Sequence, residues 1–102
     1  MQWKSYTRML RQFAEEASQR MRESAPVDTG KLRDSIEYVV IAGSGPPNVE
    51  FQTLGYGELL DDENSWASRV IRATMNEYHS KLEEAMHEDI AASLDEPLNS
   101  AI

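Results

Sequence analysis

The chain contains no cysteine among its 102 residues. This excludes a disulfide framework and a thiolate metal site, so packing must hold the fold, within one copy or between copies. There is also no apolar run near the roughly 20 residues of a membrane span. No membrane partner is therefore expected. The first residues lack the apolar stretch of a secretory signal, so synthesis in the cytosol is the expectation. Basic residues are scarce as well, with ten Lys and Arg against eighteen Asp and Glu, a formal net charge of -8. The scarcity is uneven: residues 1–36 sum to +2 and residues 37–102 to -10. An acidic second half argues against wrapping nucleic acid there, because phosphate neutralisation needs Lys and Arg. It allows either a solvated acidic surface or head-to-tail contact between copies. The length suits one domain with a modest core.

What is present reads as an α+β chain. Trp3, Tyr6, Leu10, Phe13, Ala17 and Met21 recur at three- and four-residue steps, which predicts an amphipathic helix over 3–24. Pro26 ends it, since proline lacks an N–H and disfavours helical geometry in the residue before it. Asp28, Thr29 and Gly30 read as a turn, with Asp28 accepting from backbone N–H groups and Gly30 tolerating a positive φ. From Leu32 the period becomes two, predicting a strand over 32–42. Leu32, Ile36, Tyr38 and Val40 fall on one face, and Ser35, Glu37, Val39 and Ile41 on the other. The run Val39-Val40-Ile41 predicts that this end is covered on both faces. Gly43, Ser44, Gly45, Pro46, Pro47 and Asn48 form a loop, followed by a strand over 49–54. The two strands pair most simply as an antiparallel hairpin.

An acidic linker with Asp61, Asp62 and Glu63 leads to a cap at Asn64 or Ser65 and a helix over 65–95. Its expected stripe is Ile71, Met75, Tyr78, Leu82, Met86, Ile90 and Leu94. Pro97 is expected to stop it and leave a frayed tail over 97–102. The aromatic and apolar stripes read most economically as core. Two helices over a thin hairpin also leave apolar surface that self-association would cover.

Chemistry finds little purchase here. His79, Glu83 and His87 lie four apart on one helical side, a spacing that suits a divalent metal. Three such residues without further ligands read better as solvated side chains, and no metal is expected. Thr29-Gly30-Lys31 lacks the first glycine of a phosphate-binding loop, because Ala25 stands there, and a strand follows where a helix should. Nucleophilic catalysis has no cysteine and no evident Ser–His pair. No catalytic residue and no cofactor is assigned, and an enzyme is not expected. Lys4, Arg8, Arg11 and Arg22 beside Trp3 and Tyr6 suggest nucleic-acid contact only weakly, since Glu15, Glu16 and Glu23 dilute their charge.

The stretch Ala25-Pro26-Val27-Asp28-Thr29-Gly30-Lys31-Leu32-Arg33-Asp34-Ser35-Ile36 resembles the signature A-P-x-D-T-G-x-L-R-x-S-I. That signature marks the neck and tail-completion family of tailed bacteriophages typified by gp10 of phage HK97. Val49-Glu50-Phe51-Gln52-Thr53 is similar to the family's V-E-F-G-T strand, with Gln52 in place of glycine. Trp66 to Ala73 is a looser counterpart of its entry into a C-terminal helix.

The resemblance implies a virion structural protein forming a ring, sixfold or twelvefold, at the head–tail junction. Its partners would be the head connector, adaptor or stopper on one side and the tail terminator, tube or sheath on the other. DNA would pass through the lumen without sequence-specific binding. Pro26, Asp28, Thr29, Gly30, Leu32 and Ile36 are expected to build the motif's structure. Lys31, Arg33 and the loop Gly43, Ser44, Gly45, Pro46, Pro47 and Asn48 are the candidate subunit or partner contacts. The alternatives are a tail terminator, a head-closure stopper or a small non-viral adaptor that dimerises through its C-terminal helix.

Overall fold

The computed structural model describes residues 2–24, 34–52 and 65–100. The fold is α+β, with four elements among the described residues, in order: α1 (Lys4–Ser24), β1 (Glu37–Ile41), β2 (Asn48–Gln52) and α2 (Trp66–Ser100). Pro26, Asp28, Thr29, Gly30, Lys31, Leu32 and Arg33 lie outside the described residues, as does the linker over 53–64.

α1 is the central element, and both the hairpin and α2 pack on it. Its expected stripe is the buried one: Leu10, Phe13, Ala17 and Met21 are enclosed, with Ala14 and Ser18 filling the same side. Phe13 is 1% exposed and meets Phe51 of β2 and Tyr78 of α2 edge-on, with ring centroids 6.1 and 6.0 Å away. Burying such a ring contributes about 1.5–3 kcal/mol. A second cluster joins Met21, Ile36 and Ala67 at the other end of α1.

α2 runs antiparallel to α1. Asp89 reaches Ser5 and Tyr6, Arg20 reaches Glu77, and Trp66 Nε1 donates to Ser24 Oγ at 2.9 Å. Ser65 is the cap of α2: its Oγ accepts from the Ser68 N–H at 3.1 Å, and its carbonyl accepts from the Arg69 N–H.

The strands form a two-stranded antiparallel sheet, pairing Glu37 with Gln52, Tyr38 with Phe51, Val39 with Glu50, Val40 with Val49 and Ile41 with Asn48. Tyr38, Val40, Val49 and Phe51 face α1.

Several expectations change. The first strand starts at Glu37, because residues 34–35 are helical and Ile36 is held in the core. The Ile36 carbonyl also accepts from Arg22 Nη2 at 2.9 Å, which fixes the chain just before pairing begins. Among the described residues nothing covers the outer side of Val39-Val40-Ile41 as expected: Val39 and Ile41 are 40% and 46% exposed. α2 also passes Pro97 and reaches Ser100: the φ that proline fixes is helical, and the lost N–H and the crowding of its ring against the preceding turn fall only on the helix's last turn.

The expected stripe of α2 holds through Leu82 and then leaves the core. Ala67, Thr74, Leu82, Ala85 and Asp89 are buried, whereas Ile90 and Leu94 are 36% and 66% exposed. The steps from Tyr78 to Leu94 are all of four residues. At 3.6 residues per turn each such step advances about 40° round the helix, so the stripe winds away from α1.

Candidate functional site

An open concavity lies where the start of α1 meets the hairpin tip. Trp3, Lys4, Thr7 and Arg8 form one wall, and Ala42, Gly43, Gly45 and Pro47 the other, around an open groove of about 560 Å³. The lining is mostly apolar. Pro47 is buried, Trp3 is half-buried against Tyr6 with ring centroids 5.8 Å apart, and Lys4 and Arg8 are exposed. Neither cation has an ion-pair partner among the described residues. A mostly apolar concavity edged by two cations suits an acidic, partly apolar protein segment.

Asp89 positions the first wall. Its two carboxylate oxygens accept the N–H groups of Ser5 at 2.9 Å and Tyr6 at 2.8 Å. No acidic residue lies in the first turn of α1, so a carboxylate from α2 supplies the cap and the negative charge that a helix start favours. The Thr7 N–H closes the first turn on the Trp3 carbonyl at 3.0 Å. The second wall belongs to the hairpin, whose register ends at Ile41 and Asn48.

Of the contacts expected from sequence, Gly43, Gly45 and Pro47 line the groove, Ser44 and Pro46 are exposed beside it, and Asn48 begins β2. Lys31 and Arg33 lie outside the described residues. The helical wall is not visible in the sequence pattern: Trp3 falls on the core stripe, and Lys4 and Arg8 stand out only as weak candidates for nucleic-acid contact. Asp89 escapes it too. Its signal is faint, a single acid on the core-facing side of a helix whose other buried residues are uncharged.

A second polar constellation ties the middles of the two helices together. Arg20 Nη2 donates to Glu77 Oε1 at 3.2 Å, Nη1 pairs with the other oxygen of Glu77, and Glu16 lies 3.1 Å from Nη2. The Glu77 carboxylate raises the Arg20 pKa, and Arg20 in turn holds Glu77 below its ordinary value. Tyr38 is pushed up by burial and by its hydrogen bond to Glu15.

His79 Nε2 lies 3.4 Å from Glu83 Oε1, both largely exposed. No group of three His, Asp or Glu is placed to hold a metal among the described residues. No helix among them is long and apolar enough to cross a membrane.

A family model described as "Bacteriophage HK97-gp10, putative tail-component" matches residues 4–62. The matched span holds α1 and the hairpin, and thus both walls of the groove from Lys4 onward. No curated protein and no solved structure matches the chain.

Proposed function

The chain belongs to the HK97-gp10-like family of bacteriophage tail components, and from that premise we propose that it is a neck or tail-completion subunit. In this reading copies of the chain form a ring at the head–tail junction. The ring joins the head connector or stopper to the tail terminator, tube or sheath, and DNA passes through it. The role is architectural, with no reaction assigned to it.

The observation that carries the reading is the family match across α1 and the hairpin. The surface of the chain supports it. Val39 and Ile41 stand exposed on the outer face of a two-stranded sheet, and such a thin sheet gains from a neighbour that covers or extends it. A closed ring needs two different surfaces that fit each other. The +2 and -10 halves of the sequence supply unlike surfaces. An acidic lumen would repel phosphates and let DNA slide rather than adhere.

Cryo-electron microscopy of the intact virion neck is the test. A closed ring of this chain between connector and tail is expected, with Asp and Glu of the second half facing the channel. The same map separates a tail-completion ring from a tail terminator or a head-closure stopper by its level. Absence of the chain from purified virions, with a compact dimer in solution, would overturn the reading in favour of an adaptor.

A further inference from the structure

α2 does not stop where α1 begins. Asp89 meets the first turn of α1, yet α2 runs on to Ser100. This projecting stretch carries Ile90 and Leu94, two of the most exposed large apolar side chains among the described residues. Helical spacing puts Glu83 and His87 on the same side as Ile90 and Leu94, and Glu83 is 62% exposed. The result is an apolar pair with one acid, Glu83, on its side, left exposed among the described residues.

The groove between α1 and the hairpin tip has the opposite character. It is an apolar concavity with two cations, Lys4 and Arg8, that have no ion-pair partner among the described residues. Among the described residues, none of the same copy's α2 lines it. Asp89, Ala92 and Ser93 are the α2 residues that face Gln2 and Lys4, so a straight helix directs Ile90 and Leu94 elsewhere.

We propose that Ile90 and Leu94 of one copy dock in the groove of a second copy. The occupant is this chain's own α2 because both kinds of complementarity are met at once. Exposed apolar residues meet an apolar concavity, and an acidic helix in a half of net charge -10 meets Lys4 and Arg8. Donor and acceptor are different surfaces, so the contact is heterologous and propagates from copy to copy. The inference rests on the ring reading above and names the seam between its subunits.

The absence of native cysteine makes the test direct. Leu94→Cys and Gly45→Cys are made separately; Leu94 is exposed, and a Cβ at Gly45 meets nothing within 4 Å. The two proteins, shown to be folded by circular dichroism, are mixed and oxidised at the highest soluble concentration. A disulfide forms only where Cα atoms come within about 7 Å. The crossed product is expected to exceed both like-with-like products several-fold. Arg8→Glu in the Gly45→Cys protein should lower that yield several-fold, and Glu83→Arg in its partner should restore it.

Like pairs in excess, a crossed yield no higher than in denaturant, or indifference to Arg8→Glu would each overturn the seam. Microscopy keeps the two proposals apart. A ring whose subunits do not cross-link retains the ring and removes the seam. Efficient cross-linking without any ring retains the seam and removes the ring.

Discussion

Asp89 Oδ2 accepts a hydrogen bond from the Tyr6 N–H at 2.8 Å, across a separation of 83 positions. With its other oxygen on Ser5, one side chain ties the start of α1 to the far part of α2. Asp89 is 4% exposed, so its loss leaves two helix-start N–H groups without their acceptor. Asp89→Ala should cost about 2–3 kcal/mol, in the range for buried bonds to a charged group. Asp89→Asn, which keeps one acceptor, should cost less. Urea denaturation measures both, and an Asp89→Ala protein as stable as the parent would show that the cap carries no weight. Hydrogen exchange at residues 5–8 should quicken in the same variant, because the groove's helical wall frays with the cap.

Ser18 presents the reverse case. It is fully buried, and its hydroxyl has no hydrogen-bond partner among the described residues. Ser18→Ala removes a desolvated polar atom and improves helix propensity, with almost no change in volume. A gain of about 0.5–1.5 kcal/mol in unfolding free energy is expected. Thr74, equally buried, is the control: its Oγ1 donates to the Val70 carbonyl at 2.8 Å. Thr74→Val should therefore not stabilise. A destabilising Ser18→Ala would mean that the hydroxyl has an acceptor after all.

Two titrations follow from the polar contacts, with opposite signs. Arg20 holds the Glu77 carboxyl below its ordinary value of 4.5 in the folded chain. Its contribution is thus fully present above that value and is lost as pH falls through the lowered folded pKa. Glu77 is exposed and Arg20 only half-buried, so the effect is small. Glu77→Gln should lower the urea midpoint at neutral pH and converge on the parent in acid. Tyr38 works the other way. Burial and the bond to Glu15 raise its phenol above the ordinary 10.0. The folded state then holds the proton more tightly, and stability declines as pH rises from that value through the raised folded pKa. In an alkaline absorbance titration Tyr38→Phe should delete the phenol that ionises late. A variant that instead loses an ordinary tyrosine titration would contradict the assignment.

The elements of this fold were legible where one side chain pattern met one period. α1 was legible because its stripe stays on one side for its whole length, and the hairpin because Tyr38 and Val40 alternate with Glu37 and Val39. The groove was not, because it joins Trp3 and Arg8 to Gly45 and Pro47 across the turn of the chain. Each half looks unremarkable alone: a polar helix start and a glycine- and proline-containing loop. Asp89 was hidden for a related reason. Its partners are backbone N–H groups of a distant helix, and backbone atoms leave no trace in a side-chain pattern.

The drift of α2 is the point at which pattern and geometry part, and two leucines measure it. Leu82 and Leu94 both belong to the apolar stripe read from spacing. Leu82 is 6% exposed and sits in the main core cluster, while Leu94 is 66% exposed. Leu82→Ala removes buried methyl groups and leaves a cavity, which should cost about 2–5 kcal/mol. Leu94→Ala removes atoms already in water and should change the unfolding free energy of a single copy by less than about 0.5 kcal/mol. Measuring both at low protein concentration separates folding from association. If Leu94→Ala were as costly as Leu82→Ala in that dilute regime, α2 would have to bend back so that its end joins the core. If only the concentrated protein responds to Leu94→Ala, through weaker self-association, the exposed end of the stripe acts between copies.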